Sequence, residues 1–182
     1  MKKSGILEKD KTVFVMIDIQ EKFVPVIPDI NRVISAARVL LKASKILGIP
    51  LIVTEQYPQG LGKTVSGLDL KDNEVIEKTC FSCFGSKEFS DKLSSYNPQS
   101  VVLFGIEAHV CILNTALEAL NENLEVHVVA DAISSRTAEN KQIALERMRY
   151  SGVFIDSVEL VLFQLLKNAA AKEFSEISKL IK

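Results

Sequence analysis

Residues 12–19, TVFVMIDI, form the stretch that decides the fold. Five consecutive apolar residues, 13–17, predict a strand that is buried on both faces. Such strands are typical of parallel sheets that carry helices on both sides. Asp18 interrupts the apolar run close to its end, and a carboxylate buried there without a partner would cost on the order of several kcal/mol. The pattern leaves two interpretations of Asp18 open: a turn-forming residue or a functional one.

Outward from this strand, short apolar runs alternate with segments of helical periodicity along all 182 residues. The alternation predicts one α/β domain, residues 1–182, built as a three-layer α/β/α sandwich around a six-stranded, mainly parallel sheet. The further strands are predicted at residues 51–53, 74–78, 100–106, 125–130 and 153–155. Helices are predicted at residues 33–47, 86–93, 109–121 and 137–151 and in two C-terminal stretches, with a polar turn at 131–136.

Composition and charge argue against several classes of function. Hydrophobic residues make up 47% of the chain and charged residues 25%, and the net charge of −1 comes from interspersed signs. We therefore expect neither a nucleic-acid nor a membrane partner. The apolar runs are only strand-length, and residues 1–5 are too few and too polar for a signal peptide. Three cysteines, an odd number, are interpreted as thiols, which favours a cytoplasmic protein.

Three reactive side chains stand at or just beyond the ends of predicted strands: Asp18 after the first, Lys78 at the third and Cys111 after the fourth. Because the carboxyl ends of parallel strands share one edge of the sheet, we expect them to meet there. Cys111 also precedes a helix, whose macrodipole would lower the pKa of the thiol. Alone, Lys78 would be an ordinary surface lysine, and Cys111 could be a buried, inert thiol.

These residues resemble the isochorismatase-like cysteine hydrolases, a superfamily that includes nicotinamidases and carbamoyl-amide hydrolases. The resemblance covers nearly the whole chain and rests on three motifs in order. They are Asp18-Ile19-Gln20 with Phe23, Lys78 with the following FSCF of residues 81–84, and the elbow 105–111 that ends in Cys111. Residues 54–62, TEQYPQGLG, resemble the subgroup of isochorismatase domain-containing proteins. The resemblance implies a Rossmann-like hydrolase fold.

The resemblance also implies roles for the site. Asp18 would be the general base, Lys78 would lower the pKa of Cys111 and orient the pair, and Cys111 would attack an electrophilic carbon. The peptide bond between Ile106 and Glu107 would be cis. The backbone N–H groups of Glu107 and Cys111 would then face a developing oxyanion.

The expected substrate is a small molecule with an amide or carbamoyl C–N bond. Candidate substrate-binding residues are Gln20, Phe23, Tyr57, Phe81 and Phe84, although the aromatic ones could equally be core residues. The family also favours a homo-oligomer, a dimer or tetramer. Residues 158–166 are either its contact surface or a helix packed on its own sheet.

Two departures from the relatives narrow the expected chemistry. The chain has only two histidines, His109 and His127, and neither follows the second strand, where nicotinamidases hold zinc. We therefore expect no metal and no cofactor. The elbow ends in cysteine, which favours thiol chemistry over the vinyl ether hydrolysis of true isochorismatases. Two alternatives remain: a catalytically idle scaffold, or a thiol redox protein that uses Cys80 and Cys83.

Overall fold

A computed structural model of the chain describes residues 4–71 and 73–182. Within these residues six strands form one sheet in the order β3-β2-β1-β4-β5-β6, and every neighbouring pair is parallel. The α/β fold class is confirmed, and the sheet is entirely parallel. The strands are β1 (Thr12–Ile17), β2 (Leu51–Gln56), β3 (Val75–Lys78), β4 (Ser100–Ile106), β5 (Glu125–Ser134) and β6 (Phe154–Asp156).

Helices connect the strands and cover both faces of the sheet. Ser and Thr side chains cap several of them; Thr137, for example, accepts from the backbone of Asn140 at the start of the helix in residues 138–150. The helices are α1 (Ile30–Leu47), α2 (Pro58–Leu61), α3 (Lys87–Ser95), α4 (Leu113–Asn121), α5 (Ala138–Tyr150), α6 (Val158–Leu166) and α7 (Phe174–Leu180). A π-helical turn, Ala108–Ile112, stands where the beginning of a regular helix was predicted.

Strand β1 shows how the sequence builds the three layers. Its alternate side chains enter different apolar clusters: Phe14 and Met16 pack with residues of α1, α6 and α7, whereas Val15 packs with residues of α3, α4 and α5. All six residues of the strand are buried, as the uninterrupted apolar run predicts. Burial of a side chain such as Phe14 stabilises the fold by about 1.5–3 kcal/mol.

The structure corrects one sequence-based expectation and decides between two alternatives in another. The polar turn predicted at residues 131–136 is wrong in its first part, because β5 continues to Ser134. After a register shift, Ile133 and Ser134 pair with Gly105 and Ile106 of β4, and these pairs extend the strand through polar residues.

The second expectation concerns residues 158–166, for which the sequence allows either a contact surface or packing on the domain's own sheet. Most of helix α6 packs on its own domain, with Val161, Leu162 and Leu165 fully or almost fully buried. Leu160 and Phe163 are 40% and 41% exposed, so only these two apolar side chains face outward to a large extent. The segment is therefore mainly a core helix.

No helix in the described part of the chain is long and apolar enough to cross a membrane. The expectation about a signal peptide rests partly on residues 1–3, which lie outside the described residues.

Candidate active site

The carboxyl ends of β1 and β4 lie side by side at the point where the order of the strands reverses. From β1 the chain proceeds to β2 on one side, and β4 pairs with β1 on the other. Open α/β sheets bind their ligands at such a switch point. Asp18 follows β1 directly, Lys78 is the last residue of β3, and Cys111 lies in the π-helical turn after β4. The topology therefore brings the three side chains to one edge.

The three side chains are in mutual contact around the Lys78 ammonium. Lys78 Nζ donates to Asp18 Oδ2 at 2.8 Å and lies 3.7 Å from Cys111 Sγ. The side chains of Lys78 and Asp18 have no exposed surface, and Cys111 is 6% exposed. Because a buried ammonium or carboxylate is costly without a partner, the pair stabilises the site only while both charges are present.

Neighbouring polar groups hold this cluster in place. Thr54 Oγ1 donates to Asp18 Oδ1 at 2.7 Å, and Lys78 Nζ also donates to Gln56 Oε1 at 2.7 Å and to the carbonyl oxygen of Cys80 at 3.3 Å. Asp18 itself has a left-handed backbone with φ of 53°. Asp is among the residues that adopt this conformation most readily, so the turn-forming interpretation and the functional one are compatible.

The charges of the cluster act on each other's pKa values. Burial opposes the charged form of Lys78, but Asp18 and, when ionised, the neighbouring Cys111 and Cys83 favour it, and the pKa of Lys78 is raised. Burial and then the negative charge of Asp18 raise the pKa of the Cys111 thiol, although Lys78 acts in the opposite direction. At neutral pH the resting site therefore holds a protonated thiol beside an ion pair.

This direction reverses a sequence-based expectation. The sequence predicts that a helix N-terminus and Lys78 lower the pKa of Cys111; Lys78 does act in this direction, but burial and the charge of Asp18 outweigh it. Instead, Cys111 is a late residue of a π-helical turn, is almost completely buried and lies close to a carboxylate. A thiol with a raised pKa needs a base before it can act as a nucleophile, and Asp18 is the carboxylate beside it.

The elbow that carries Cys111 is anchored by an ion pair. The Ile106–Glu107 peptide bond is cis. The buried Glu107 carboxylate accepts from the backbone N–H of Arg136 at 2.9 Å and from its guanidinium at 2.7 and 3.1 Å. Burial opposes ionisation of Glu107, but its bonds to Arg136 prevail and lower the pKa of that carboxyl. The pair links the elbow to the end of β5.

A cleft of about 470 Å³ borders the cluster. Its volume is that of a small-molecule site. Lys78 is the residue that the cleft wall and the buried cluster share, whereas Asp18 and Cys111 are not among the residues that line the cleft. The other residues that line it are Tyr57, Pro58, Gln59, Glu77, Thr79, Cys80, Gly85 and Ser86.

Of the five residues predicted to bind substrate, only Tyr57 lines the cleft. Gln20 is fully buried and bonds to the backbone of Gln56 and Gly62. Phe23 and Phe84 pack against the two apolar clusters, and Phe84 makes an edge-to-face contact with another ring of its cluster. Phe81 is 62% exposed and is not among the residues of the cleft wall.

The remaining thiols differ in environment. Cys83 is fully buried, and burial is the main cause that raises the pKa of its thiol to about 12. Cys83 has no exposed surface and is not among the residues that line the cleft, so an external thiol has no access to it, which argues against a redox pair of Cys80 and Cys83. All three cysteines are free. Cys80 is partly buried and lines the cleft.

The two histidines lie apart from the cluster and have partners. His109 Nδ1 lies 3.0 Å from the hydroxyl of Ser135, and His127 Nδ1 lies 2.6 Å from Asp156 Oδ2. Across residues 4–71 and 73–182, no group of three or more His, Cys, Asp or Glu side chains is arranged to hold a metal ion.

Three residues of the site were not recognised in the sequence: Thr54, Gln56 and Arg136. Thr54 and Gln56 are polar residues at the end of the apolar strand β2, at 0% and 9% exposure. Their signal was the same one that singled out Asp18, a polar residue closing a buried strand. Arg136 offered no comparable signal, since it lies in a polar stretch and its partner Glu107 is 29 residues away.

The six-stranded parallel sheet covered by helices is the fold of the isochorismatase-like hydrolases. A family model for the isochorismatase domain matches residues 12–159, and the chain belongs to the isochorismatase family. It is 45% identical over 177 residues to isochorismatase domain-containing protein 2 of Danio rerio. The aligned region covers 97% of this chain and 90% of that protein.

Solved structures share the fold over almost the whole chain. MAR1 ribonuclease from Caenorhabditis elegans is 37% identical, with a TM-score of 0.90 over 96% of this chain and 91% of that one. YcaC from Escherichia coli, described as an octameric hydrolase of unknown specificity, has a TM-score of 0.92 at 20% identity. That match covers 100% of this chain and 91% of YcaC.

Proposed function

We propose that this chain is a cysteine hydrolase that cleaves an amide, carbamoyl or similar C–N bond in a small molecule. The observation that carries the proposal is the position of Lys78 Nζ, 2.8 Å from Asp18 Oδ2 and 3.7 Å from Cys111 Sγ in a buried site. A thiol beside a carboxylate and an ammonium is suited to nucleophilic catalysis. The adjoining cleft of about 470 Å³ suits a substrate of small-molecule size.

The first half of the reaction forms a covalent adduct. Asp18 accepts the thiol proton while Cys111 Sγ bonds to the carbonyl carbon and the C=O electron pair moves to oxygen. The backbone N–H groups of Glu107 and Cys111 would stabilise this oxyanion, and loss of one such donor typically lowers the rate about a hundredfold or more. Lys78 stays protonated throughout and balances the charge.

The second half releases the products. The C–N bond breaks as protonated Asp18 gives its proton to the leaving nitrogen, which departs as ammonia or an amine. Water then attacks the thioester while Asp18 accepts one of its protons. The C–S bond breaks, the proton returns to sulfur, and the acid leaves. One water is consumed, no metal is needed, and the site is restored.

The test is a screen of small primary amides and N-carbamoyl compounds, with release of ammonia or amine as the readout. The parent protein should turn over at least one class, and Cys111→Ala should lose that activity. Mass spectrometry of the parent should detect an acyl adduct on the peptide that contains Cys111. Cys83→Ala, which lacks the other buried thiol, should still form it. An adduct elsewhere, or undiminished turnover by Cys111→Ala, would refute the proposal.

RNA is the competing substrate class, because the nematode relative at 37% identity is named a ribonuclease. The net charge of −1 with interspersed signs offers no basic surface for a phosphate backbone, which favours the small-molecule substrate. The parent protein and Cys111→Ala also distinguish RNA from a small-molecule amide as the substrate. If the parent degrades a labelled RNA and Cys111→Ala does not, RNA replaces the amide as the substrate.

We also propose that the chain forms a homo-oligomer, a dimer or a tetramer. Leu160 and Phe163 on α6 remain about two-fifths exposed and are suited to an apolar contact. Light scattering behind a sizing column should give two or four times the chain mass of 20.1 kDa. A measured mass equal to that of a single chain at micromolar concentration would refute this proposal. A cytoplasmic location without nucleic-acid or membrane partners remains an expectation from composition.

A further inference from the structure

The side chain of Gln56, the last residue of β2, makes contacts that the proposed reaction does not use. Its Oε1 accepts from Lys78 Nζ at 2.7 Å and lies 4.0 Å from Cys111 Sγ, within reach of the thiol proton. The residue is 9% exposed. A buried neutral oxygen therefore contacts the cation and the nucleophile of the site at once.

The orientation of this amide is determined by bonds on its other side. Gln56 Nε2 donates to the carbonyl oxygen of Thr79 at 2.7 Å, so Oε1 has to face Lys78. Gln20 holds the backbone of the same residue: its Nε2 donates to Gln56 O at 3.0 Å, and its Oε1 accepts from Gln56 N at 2.8 Å. A flipped amide would place an N–H group against the Lys78 ammonium, which is unfavourable.

The contacts of the ammonium show what this orientation achieves. An ammonium has three N–H groups. Two of them make short bonds, to Asp18 Oδ2 at 2.8 Å and to Gln56 Oε1 at 2.7 Å. The third is directed towards the longer contacts, the carbonyl oxygen of Cys80 at 3.3 Å and Cys111 Sγ at 3.7 Å.

We propose that Gln56 is a positioning residue that holds the Lys78 ammonium so that its third N–H faces the Cys111 sulfur. This inference rests on the proposed function, because it explains how the same thiol is made ready. Without Gln56 the ammonium would turn towards the Asp18 carboxylate, a stronger acceptor than a thiol. The thiolate formed during reaction would then lose part of its stabilising positive charge.

The test measures how the labelling of Cys111 by iodoacetamide depends on pH, with the modified peptide quantified by mass spectrometry. It needs no substrate. The titratable groups that act on the thiol are Asp18 after β1, Lys78 on β3 and Cys83 beyond β3, and all three are retained. Gln56→Met keeps a similar side-chain volume and removes the acceptor. We expect the labelling midpoint to rise by about one pH unit and the rate at pH 8 to fall about tenfold.

A second variant separates positioning from folding. Gln56→Glu keeps an oxygen for Lys78 but adds a negative charge close to the sulfur. The variant should remain folded and yet label Cys111 at least about tenfold more slowly at pH 8. Gln142→Leu, a change of an exposed glutamine on α5, should label like the parent.

Parental pH dependence of labelling in a folded Gln56→Met or Gln56→Glu protein would overturn the inference. A shifted profile would support it even if the parent hydrolyses no tested amide, because labelling does not require turnover. Failure of the positioning role and failure of the proposed reaction are therefore separate results.

Discussion

Asp18 faces two neighbours that its charge affects in opposite ways. It accepts a bond from the Lys78 ammonium at 2.8 Å, and the same negative charge raises the pKa of the Cys111 thiol. The carboxylate thus favours the charged form of Lys78 and the protonated form of the Cys111 thiol. In the proposed reaction it then takes the proton whose loss it opposed at rest.

Asp18→Asn should separate ionisation of the thiol from catalysis. The amide can still accept the bond from Thr54, but the negative charge is gone while Lys78 remains. We expect labelling of Cys111 by iodoacetamide at pH 8 to become faster, because a cause of its raised pKa is removed. Turnover of an amide substrate should fall about 10²–10⁴-fold, because the base is lost. Slower labelling together with lost turnover would contradict this account.

At the scale of single residues, the sequence predicted the charged cluster better than its surroundings. Asp18 and Cys111 stood out because reactive side chains at strand ends are unusual in an apolar context. The roles of Phe23 and Phe84 could not be predicted, because an aromatic ring that lines a cleft and one that fills a core have the same sequence signature. The direction of the Cys111 pKa depends on burial, which the local sequence does not report.

Among the elements, β1 and β4 set the distance between Asp18 and Cys111. Gly105 lies near the end of β4 with φ of 125°, and a Cβ atom there would come within 2.0 Å of the carbonyl oxygen of Ile17. The two strands can approach this closely because residue 105 has no side chain. The position of Cys111 relative to Asp18 thus depends on a contact between backbones.

Gly105→Ala should therefore destabilise the protein far more than an ordinary glycine substitution. We expect a loss of more than about 3 kcal/mol in urea unfolding, or no folded protein, because strand β1 would have to move. Gly48→Ala at the end of α1 is the matched control: φ is 69°, but nothing lies within 4 Å of the added Cβ. It should cost only about 1 kcal/mol. Equal losses in both variants would show that the close approach is unimportant.

The element boundaries show which features of the fold a local sequence pattern cannot predict. Strand β4 was predicted at its observed bounds, since its apolar run stops abruptly. For the π-helical turn at Ala108–Ile112 the sequence predicts a regular α-helix from residue 109. Its residues are as apolar as those of the α-helix that follows, so the pattern does not distinguish the two. The continuation of β5 to Ser134 depends on pairing with residues about 28 positions earlier in the chain, which a local pattern cannot contain.

Over the whole molecule, the buried thiols make the stability depend on alkaline pH. The pKa of Cys83 rises from 9.0 to about 12 on folding, so the unfolded chain loses this proton first. This contribution to stability is complete below pH 9 and disappears as the pH rises towards 12. Between pH 8 and 10.5 we expect the free energy of unfolding in urea to fall by about 2 kcal/mol from Cys83 alone.

The control for this effect is the cysteine that is only partly buried. Cys80→Ala should keep the alkaline loss of stability, whereas Cys83→Ala should start from a lower stability at pH 8 and lose less of it by pH 10.5. Cys111 and Lys78, whose pKa values are also raised, contribute in the same direction. A free energy of unfolding that is constant over this range would contradict the burial of the thiols.

The overall architecture followed from the sequence because apolar periodicity reports which faces are covered, and covered strands leave few possible topologies. The walls of the cleft did not follow, because they come largely from connections whose course depends on tertiary contacts. Residues 57–59 belong to the link between β2 and β3, and residues 79–86 to the link between β3 and α3.

The backbone contact at Gly105 has a consequence for how such a protein can change over time. The spacing of Asp18 and Cys111 is held by two central strands, whereas most of the cleft wall comes from the two connections beside β3. Insertions or exchanges in those connections can alter the shape of the cleft without moving Asp18 or Cys111. A protein of this architecture can therefore vary in what it accepts while these two side chains stay in place.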